Sequence, residues 1–261
     1  MKSLFSLLFF ITVTVNAQFQ FQINDSIALP NGFQYQLNAN SLNEIYIIKN
    51  GTDLIKINQK KETLQYPKQK IITHLDANLG LKTAVVYNHQ ELQILDDKLN
   101  PIQDPINLNQ YEIFPSSIAI IDSQLLWYFD PIEQRLIQWN YQLKKTINKS
   151  NLLFFKEGDS TIEEIYNYKN RIFLKSQNYI YEYDFFGNFK SDIPLKQYDK
   201  SFFSGDKIYL IKDQNLTEIN LINQEISTAD NFFYGKDFIM SDDQLFVITQ
   251  NVMYIYTRIK N

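Results

Sequence analysis

Six stretches of this chain repeat one layout about every 40 residues, and that repeat restricts the possible folds more than any other feature. The plainest copy runs from Asn170 to Ile193. It reads as a strand (Arg171–Lys175), a polar turn, a strand (Tyr179–Tyr183), a Gly-containing turn (Asp184–Asn188) and a third strand. Tyr179, Tyr181 and Tyr183 share one face, because side chains alternate along a strand. In the turn, Gly187 is free to take a positive φ and Asp184 to accept from the backbone that follows it. Copies align on Ile45, Thr83, Leu125, Ile172, Ile208 and Leu245, with steps of 38, 42, 47, 36 and 37 residues. A helical repeat of this period would place apolar residues at i, i+3 and i+4. These copies alternate with period two and favour β-branched and aromatic residues.

A further strand precedes each copy: Gln34–Ala39, Lys70–Leu75, Ser117–Ile121, Glu163–Tyr168, Phe202–Ser204 and Asp237–Met240. Four strands repeated at this period resemble the six-bladed β-propeller superfamily, and the resemblance covers Gln18–Asn261. The Gly-His and Trp-Asp marks of WD40 repeats are missing. The resemblance implies an all-β domain of six four-stranded antiparallel blades and transfers no functional residue. The sixth copy ends after its third strand, at Ile259-Lys-Asn261. Asn24–Pro30 parallels Lys190–Leu195, an outer strand with its connector. The expectation is that the N-terminal strand completes the last blade by pairing with Val252–Thr257. Ser160–Tyr168 carries a capping-box pattern, Ser160 with Glu163, but stands where an inner strand belongs.

Met1–Ala17 has a basic start at Lys2, an apolar run over Leu4–Val15 and Val15-Asn16-Ala17 as a cleavage site. This is the pattern of a secretory signal peptide, and the run is too short to span a bilayer. The mature chain is expected to begin near Gln18 and to work in the periplasm, at the cell surface or outside the cell. No Cys is present, which removes disulfides, thiol catalysis and Cys-based metal centres. Net charge is −4, so nucleic acid is not an expected partner. The only Arg residues are Arg135, Arg171 and Arg258, too few for a clustered anion clamp.

Catalytic signals are sparse. His74 and His89 are the only histidines; His89 reads as a turn residue, and His74 ends an inner strand where it could face a channel. The acidic neighbours Asp96-Asp97, Glu163-Glu164 and Asp242-Asp243 make poor catalytic pairs, since neighbours on a strand point apart and Asp96-Asp97 and Asp242-Asp243 fall at expected turns. Trp127 and Trp139 read as core. The connectors into the inner strands are rich in aromatics. Tyr35, Tyr66, Tyr111, Phe114, Phe155, Tyr198, Phe203, Phe233 and Tyr234 are the candidate ligand-binding residues, as a platform for a protein or carbohydrate partner. The alternative for each is packing between blades. The reading is a monomeric, non-catalytic binding or assembly module with no cofactor and no metal. A glycan-active hydrolase or lyase, with carboxylates converging at the channel mouth, is the alternative.

Overall fold

Strands dominate because every repeat holds short runs rich in β-branched and aromatic residues between short turns; runs such as Ile45–Ile48 and Leu126–Phe129 are buried on both faces. The structure is a computed structural model that describes residues 18–66 and 69–259; the side chains of residues 18 and 230–232 are outside the description. The expected signal peptide, Met1–Ala17, lies outside the described residues. In chain order the strands are β1 (Gln18–Ala28), β2 (Tyr35–Ala39), β3 (Ile45–Lys49), β4 (Asp53–Ile57), β5 (Thr63–Tyr66), β6 (Ile72–Asp76), β7 (Lys82–Tyr87) and β8 (Glu91–Asp96). They continue with β9 (Ile106–Asn107), β10 (Ser117–Ile120), β11 (Leu125–Asp130), β12 (Arg135–Asn140), β13 (Lys145–Lys149), β14 (Glu164–Tyr168), β15 (Arg171–Lys175) and β16 (Tyr179–Asp184). The last are β17 (Phe189–Pro194), β18 (Lys200–Ser204), β19 (Lys207–Lys212), β20 (Asn215–Asn220), β21 (Ile226–Phe232), β22 (Asp237–Ser241), β23 (Gln244–Ile248) and β24 (Val252–Ile259). A single 3-10 turn, Leu108–Tyr111, interrupts this pattern among the described residues. The second half of the capping-box segment, Glu164–Tyr168, is strand β14, and no part of the segment is helical.

The turn in the plainest repeat forms as its residues dictate. Gly187 has a φ of 81°, and Asp184 Oδ1 accepts from the N–H groups of Phe186 (3.0 Å) and Asn188 (2.9 Å).

Antiparallel sheets β2–β5, β6–β9, β10–β13 and β14–β17 stand as separate four-stranded units in a propeller-like ring. The remaining strands form one eight-stranded sheet in the order β18-β19-β20-β21-β1-β24-β23-β22. The expected six separate blades are therefore corrected to four separate sheets and one double-width sheet. The reason is the length of β1. It begins at Gln18, not at Asn24, and its first two residues pair in parallel with Thr228 and Ala229 of β21. Beyond them β1 runs antiparallel to β24, from Gln20 opposite Ile259 to Ala28 opposite Val252, with an irregularity between Ile23 and Asp25. The N-terminal strand thus completes the β22–β24 group, as its sequence suggests, and also joins it to β21.

Apolar side chains fill the spaces between neighbouring sheets as a series of slabs. Tyr46, Leu54, Val85 and Leu95 pack between the first two sheets, and Trp139 and Tyr128 lie in the next slab. Trp127 lies with Phe129, Leu174 and Tyr181. The slab at the chain termini holds Phe19, Phe21, Phe233, Met253 and Ile255. Both Trp side chains are fully buried, which agrees with their reading as core.

Ile27 sits within β1 opposite Met253 and packs on that last slab. Ile27→Pro removes a ladder donor and an apolar side chain together. It should lower unfolding free energy by about 3 kcal/mol or more. Urea denaturation of the chain from residue 18 onward measures this; a midpoint matching the unchanged protein would count against closure by β1.

Candidate functional site

The strand that begins each repeat has one edge with no strand beside it, and these edges face the middle of the ring. Residues of β2, β6, β10, β14, β18 and β22 together line a cavity of about 300 Å³. Backbone N–H groups on such edges need partners. The neighbouring unit supplies them through polar side chains. Asp76 Oδ2 accepts from the Ile120 N–H, and Ser117 Oγ accepts from the Ile165 N–H at 3.0 Å. Asp237 Oδ2 accepts from the Leu37 N–H at 2.6 Å, and its Oδ1 accepts from Lys200 Nζ at 2.6 Å. Asn38 Nδ2 donates to the Leu75 carbonyl (3.3 Å), and the Tyr166 hydroxyl donates to the Gly205 carbonyl (3.0 Å). Each seam between successive units carries one of these polar links.

Charge gathers on one side of the cavity. Lys175 Nζ lies 2.7 Å from Glu163, 4.0 Å from Glu164 and 5.4 Å from the centre of the Tyr198 ring. Burial works against the Lys175 charge, but Glu164, Tyr198 and Glu163 outweigh it and hold its pKa above the ordinary value. Burial among protein atoms raises Glu164; Lys175 opposes this, while Asp76 and Glu163 add to it. Glu164 nevertheless keeps 40% of its side-chain surface accessible, because it borders the cavity. Glu163 and Glu164 were expected to diverge. Both reach Lys175 because β14 begins only at Glu164, so strand alternation does not govern Glu163.

Asp76 is buried, and desolvation pushes it up to about 6 against the lowering effect of the Ile120 and Asn78 N–H groups. His74 also lines the cavity, with its ring centre 5.5 Å from that of His89. Burial, then the neighbouring His89, lower it to about 4, so its imidazole is neutral at pH 7. Four carboxylates and two lysines border one small space, which leaves it net acidic when all are ionised.

The candidate aromatics divide into two groups. Phe114 and Tyr234 are exposed, at 46% and 69%. The others pack against protein. Phe203 stacks on Tyr166 at 4.6 Å, Phe155 lies between Phe129 and Tyr181, and Tyr111 lies against Trp139. Tyr35 is buried and donates to the Pro30 carbonyl at 2.7 Å. Phe233 is buried in the terminal slab, Tyr66 packs between the first two sheets, and Tyr198 packs near Lys175. Phe154, at 82% exposure, stands out on the connector into β14. Sequence reasoning missed Asp76, Lys175, Lys200 and Asp237. The available signal was a charged residue at the end of a strand otherwise made of apolar residues, as in Asp237-Phe-Ile-Met.

No family model matches the sequence, and no curated protein is detectably similar to it. Solved structures do match. Virginiamycin B lyase from Staphylococcus aureus is 10% identical, with a TM-score of 0.58 over 92% of this chain and 99% of that one. The WD40 domain of Neurospora crassa Pan2 is 7% identical, with a TM-score of 0.59 over 91% and 95%. BamB from Moraxella catarrhalis is 10% identical, with a TM-score of 0.51 over 91% and 99%. The fold is a β-propeller. Identities this low carry the fold and leave function to the residues of this chain.

The Asp76 shift has a definite sign. A carboxyl raised from 3.8 to about 6 binds its proton more tightly in the folded chain. Its stabilising contribution is full below pH 3.8 and is lost as pH rises through about 6. Asp76→Asn keeps an acceptor for the Ile120 N–H and removes the titration. Between pH 4.5 and 7.5 its stability relative to the unchanged chain should improve by about 2 kcal/mol. Denaturant melts at the two pH values measure this difference; no change, or a change in the unchanged chain's favour, contradicts the assignment.

Proposed function

We propose that this chain is an exported, monomeric, non-catalytic binding module, read as a six-bladed propeller whose double-width sheet is two blades joined through β1. Its partner is a protein or a carbohydrate and binds the face where the inner strands begin. The observation that carries this reading is the engagement of the charged cavity side chains. Asp76 and Asp237 accept backbone N–H groups from the next unit, and Lys175 and Lys200 are paired with carboxylates. Groups bound into the seams hold a scaffold together and are poorly free to exchange protons with a substrate. On the connectors at that face, Phe114 and Tyr234 offer apolar surface to a partner.

Glu164 favours a second reading, that of a glycan-active lyase or hydrolase. It borders the cavity, is accessible and has a raised pKa, which suits a general acid. The binding reading is preferred because a glycosidase-type mechanism needs a second free carboxylate, and Glu163 is taken up by Lys175.

Export is tested together with binding. The secreted or periplasmic protein should begin at Gln18 or within a few residues of it by N-terminal sequencing. Immobilised mature protein, its Phe114→Ala/Tyr234→Ala double variant and its Glu164→Gln variant are then offered the producing cell's envelope extract and a glycan panel. A partner retained by the unchanged protein and lost by the double variant, with an unaltered melting temperature, supports the binding reading. Retention of Met1–Ala17 removes the export reading. Turnover of a glycan that Glu164→Gln abolishes replaces binding by catalysis.

A further inference from the structure

The ring is covalently continuous except between β24 and β1, where the last and first described strands pair. One buried side-chain cluster crosses that region. Arg258, near the end of β24, makes a two-pronged contact with Glu218 of β20: Nη1 to Oε2 at 2.8 Å and Nη2 to Oε1 at 3.0 Å. Glu218 is 4% exposed. It also accepts from Lys207 Nζ (3.0 Å) and Ser227 Oγ (2.8 Å). The Arg258 guanidinium lies 4.0 Å from the centre of the Phe19 ring of β1. The cluster therefore binds β24 and β1 to the β18–β21 group across the parallel β21–β1 junction.

An internal comparison separates the ordinary part of this cluster from the added part. Sheet β14–β17 contains a cation, a Glu and a Ser at the same spacing, with Arg in the place of Lys. Arg171 donates to Glu182 eleven residues on, at 3.0 Å, and Ser191 donates to Glu182 from nine residues further, at 2.8 Å. Lys207, Glu218 and Ser227 repeat those intervals of eleven and nine. That triad stays within one sheet unit in both places. Among the described residues Arg258 has no counterpart at Glu182, whose side chain pairs with Arg171 and Ser191, and it is the member that reaches in from the last strand.

We propose that Arg258–Glu218 is a latch that holds the chain ends together and sets how readily the propeller opens at the β21–β1–β24 junction. Separating β1 from β24 and β21 breaks no covalent connection, since β1 and β24 are the first and last of the described strands. A guanidinium paired in two places and stacked on a ring is hard to replace by a lysine ammonium. Removing Arg258 leaves the buried Glu218 carboxylate to Lys207 and Ser227 alone, and weakening a buried charge pair in this way is costly. The charged groups facing Glu218 are Arg258 from β24 and Lys207 from β19, with the Tyr209 hydroxyl beside it; Asp243 lies near Arg258. Burial alone would raise Glu218, but Arg258, Ser227 and Lys207 hold its pKa below the ordinary value. The latch is thus fully charged at neutral pH, and it loosens only as pH falls below the usual carboxylate range.

Native-state hydrogen exchange on the mature chain at pH 7 reads this out. Arg258→Met should speed exchange of the β1 and β24 amides by on the order of a hundredfold, while those of β10–β17 stay unchanged. Arg258→Lys should fall between Arg258→Met and the unchanged chain, and it serves if Arg258→Met does not fold. Glu182→Gln, which removes the matching carboxylate charge inside one sheet, should leave β1 and β24 unaffected. Two results overturn the proposal: exchange in β1 and β24 that is unaltered by both Arg258 variants, or a rise that spreads equally over all sheets.

Discussion

Everything in this molecule depends on the antiparallel pairing of its first strand with its last. A ring of sheets has no free end only if some strand closes it, and here the closing strand is β1, paired with β24 from Gln20–Ile259 to Ala28–Val252. The constraint is severe because each sheet is small. A four-stranded unit buries its two faces only against neighbours on either side, so every unit needs the ring complete. Without β1, the slab containing Phe21, Phe233, Met253 and Ile255 loses one wall. Backbone hydrogen bonds contribute about 0.5–1.5 kcal/mol each, and several of them approach the whole stability of a typical domain.

Polar groups then decide how the ring is held at its centre. In the third strand of successive units a polar side chain is buried: Lys56, Gln93, Gln138, Glu182 and Glu218. Lys56 shows how such a residue is tolerated. It is 1% exposed, paired with Glu44 at 2.6 Å, and donates to the Asp97 carbonyl of the next sheet at 2.7 Å. Buried charges of this kind add little net stability over an apolar core, but breaking one pair costs several kcal/mol. Lys56, which bonds across to the following unit, and Glu218, which receives Arg258, fit a role in fixing which surfaces meet. The same logic holds for Asp76 and Asp237 on the cavity wall, where a carboxylate serves a backbone N–H that no strand can reach.

Much of the architecture was legible because strand periodicity is local. The inner strand at Ser117, the strand at Arg171–Lys175 and the terminal closure all follow from alternation and from the missing last strand. Long-range features were not legible. The parallel contact of Gln18 and Phe19 with β21 depends on how far β1 reaches past β24, which no local pattern encodes. The convergence of Glu163 and Glu164 on Lys175 depends on where β14 begins, a matter of one residue. Aromatic connectors looked alike in sequence. Only packing distinguishes Phe203, stacked on Tyr166, from Tyr234, which faces solvent.

The account stands or falls on the register of β1 against β24. The chain has no Cys, so an engineered pair reports that register without competition. Ser26 and Tyr254 are direct cross-strand partners, whereas Tyr256 lies two residues further along β24. Directly opposite Cβ atoms lie about 4.5–5.5 Å apart, and diagonal ones about 7–8 Å apart, too far for an unstrained disulfide. Oxidation of the Ser26→Cys/Tyr254→Cys protein should yield an intramolecular disulfide in a monomer, seen by mass spectrometry and non-reducing electrophoresis. The Ser26→Cys/Tyr256→Cys protein should stay reduced. Bonding only between separate molecules, or equal bonding in both pairs, would contradict closure of the ring by its own N-terminal strand.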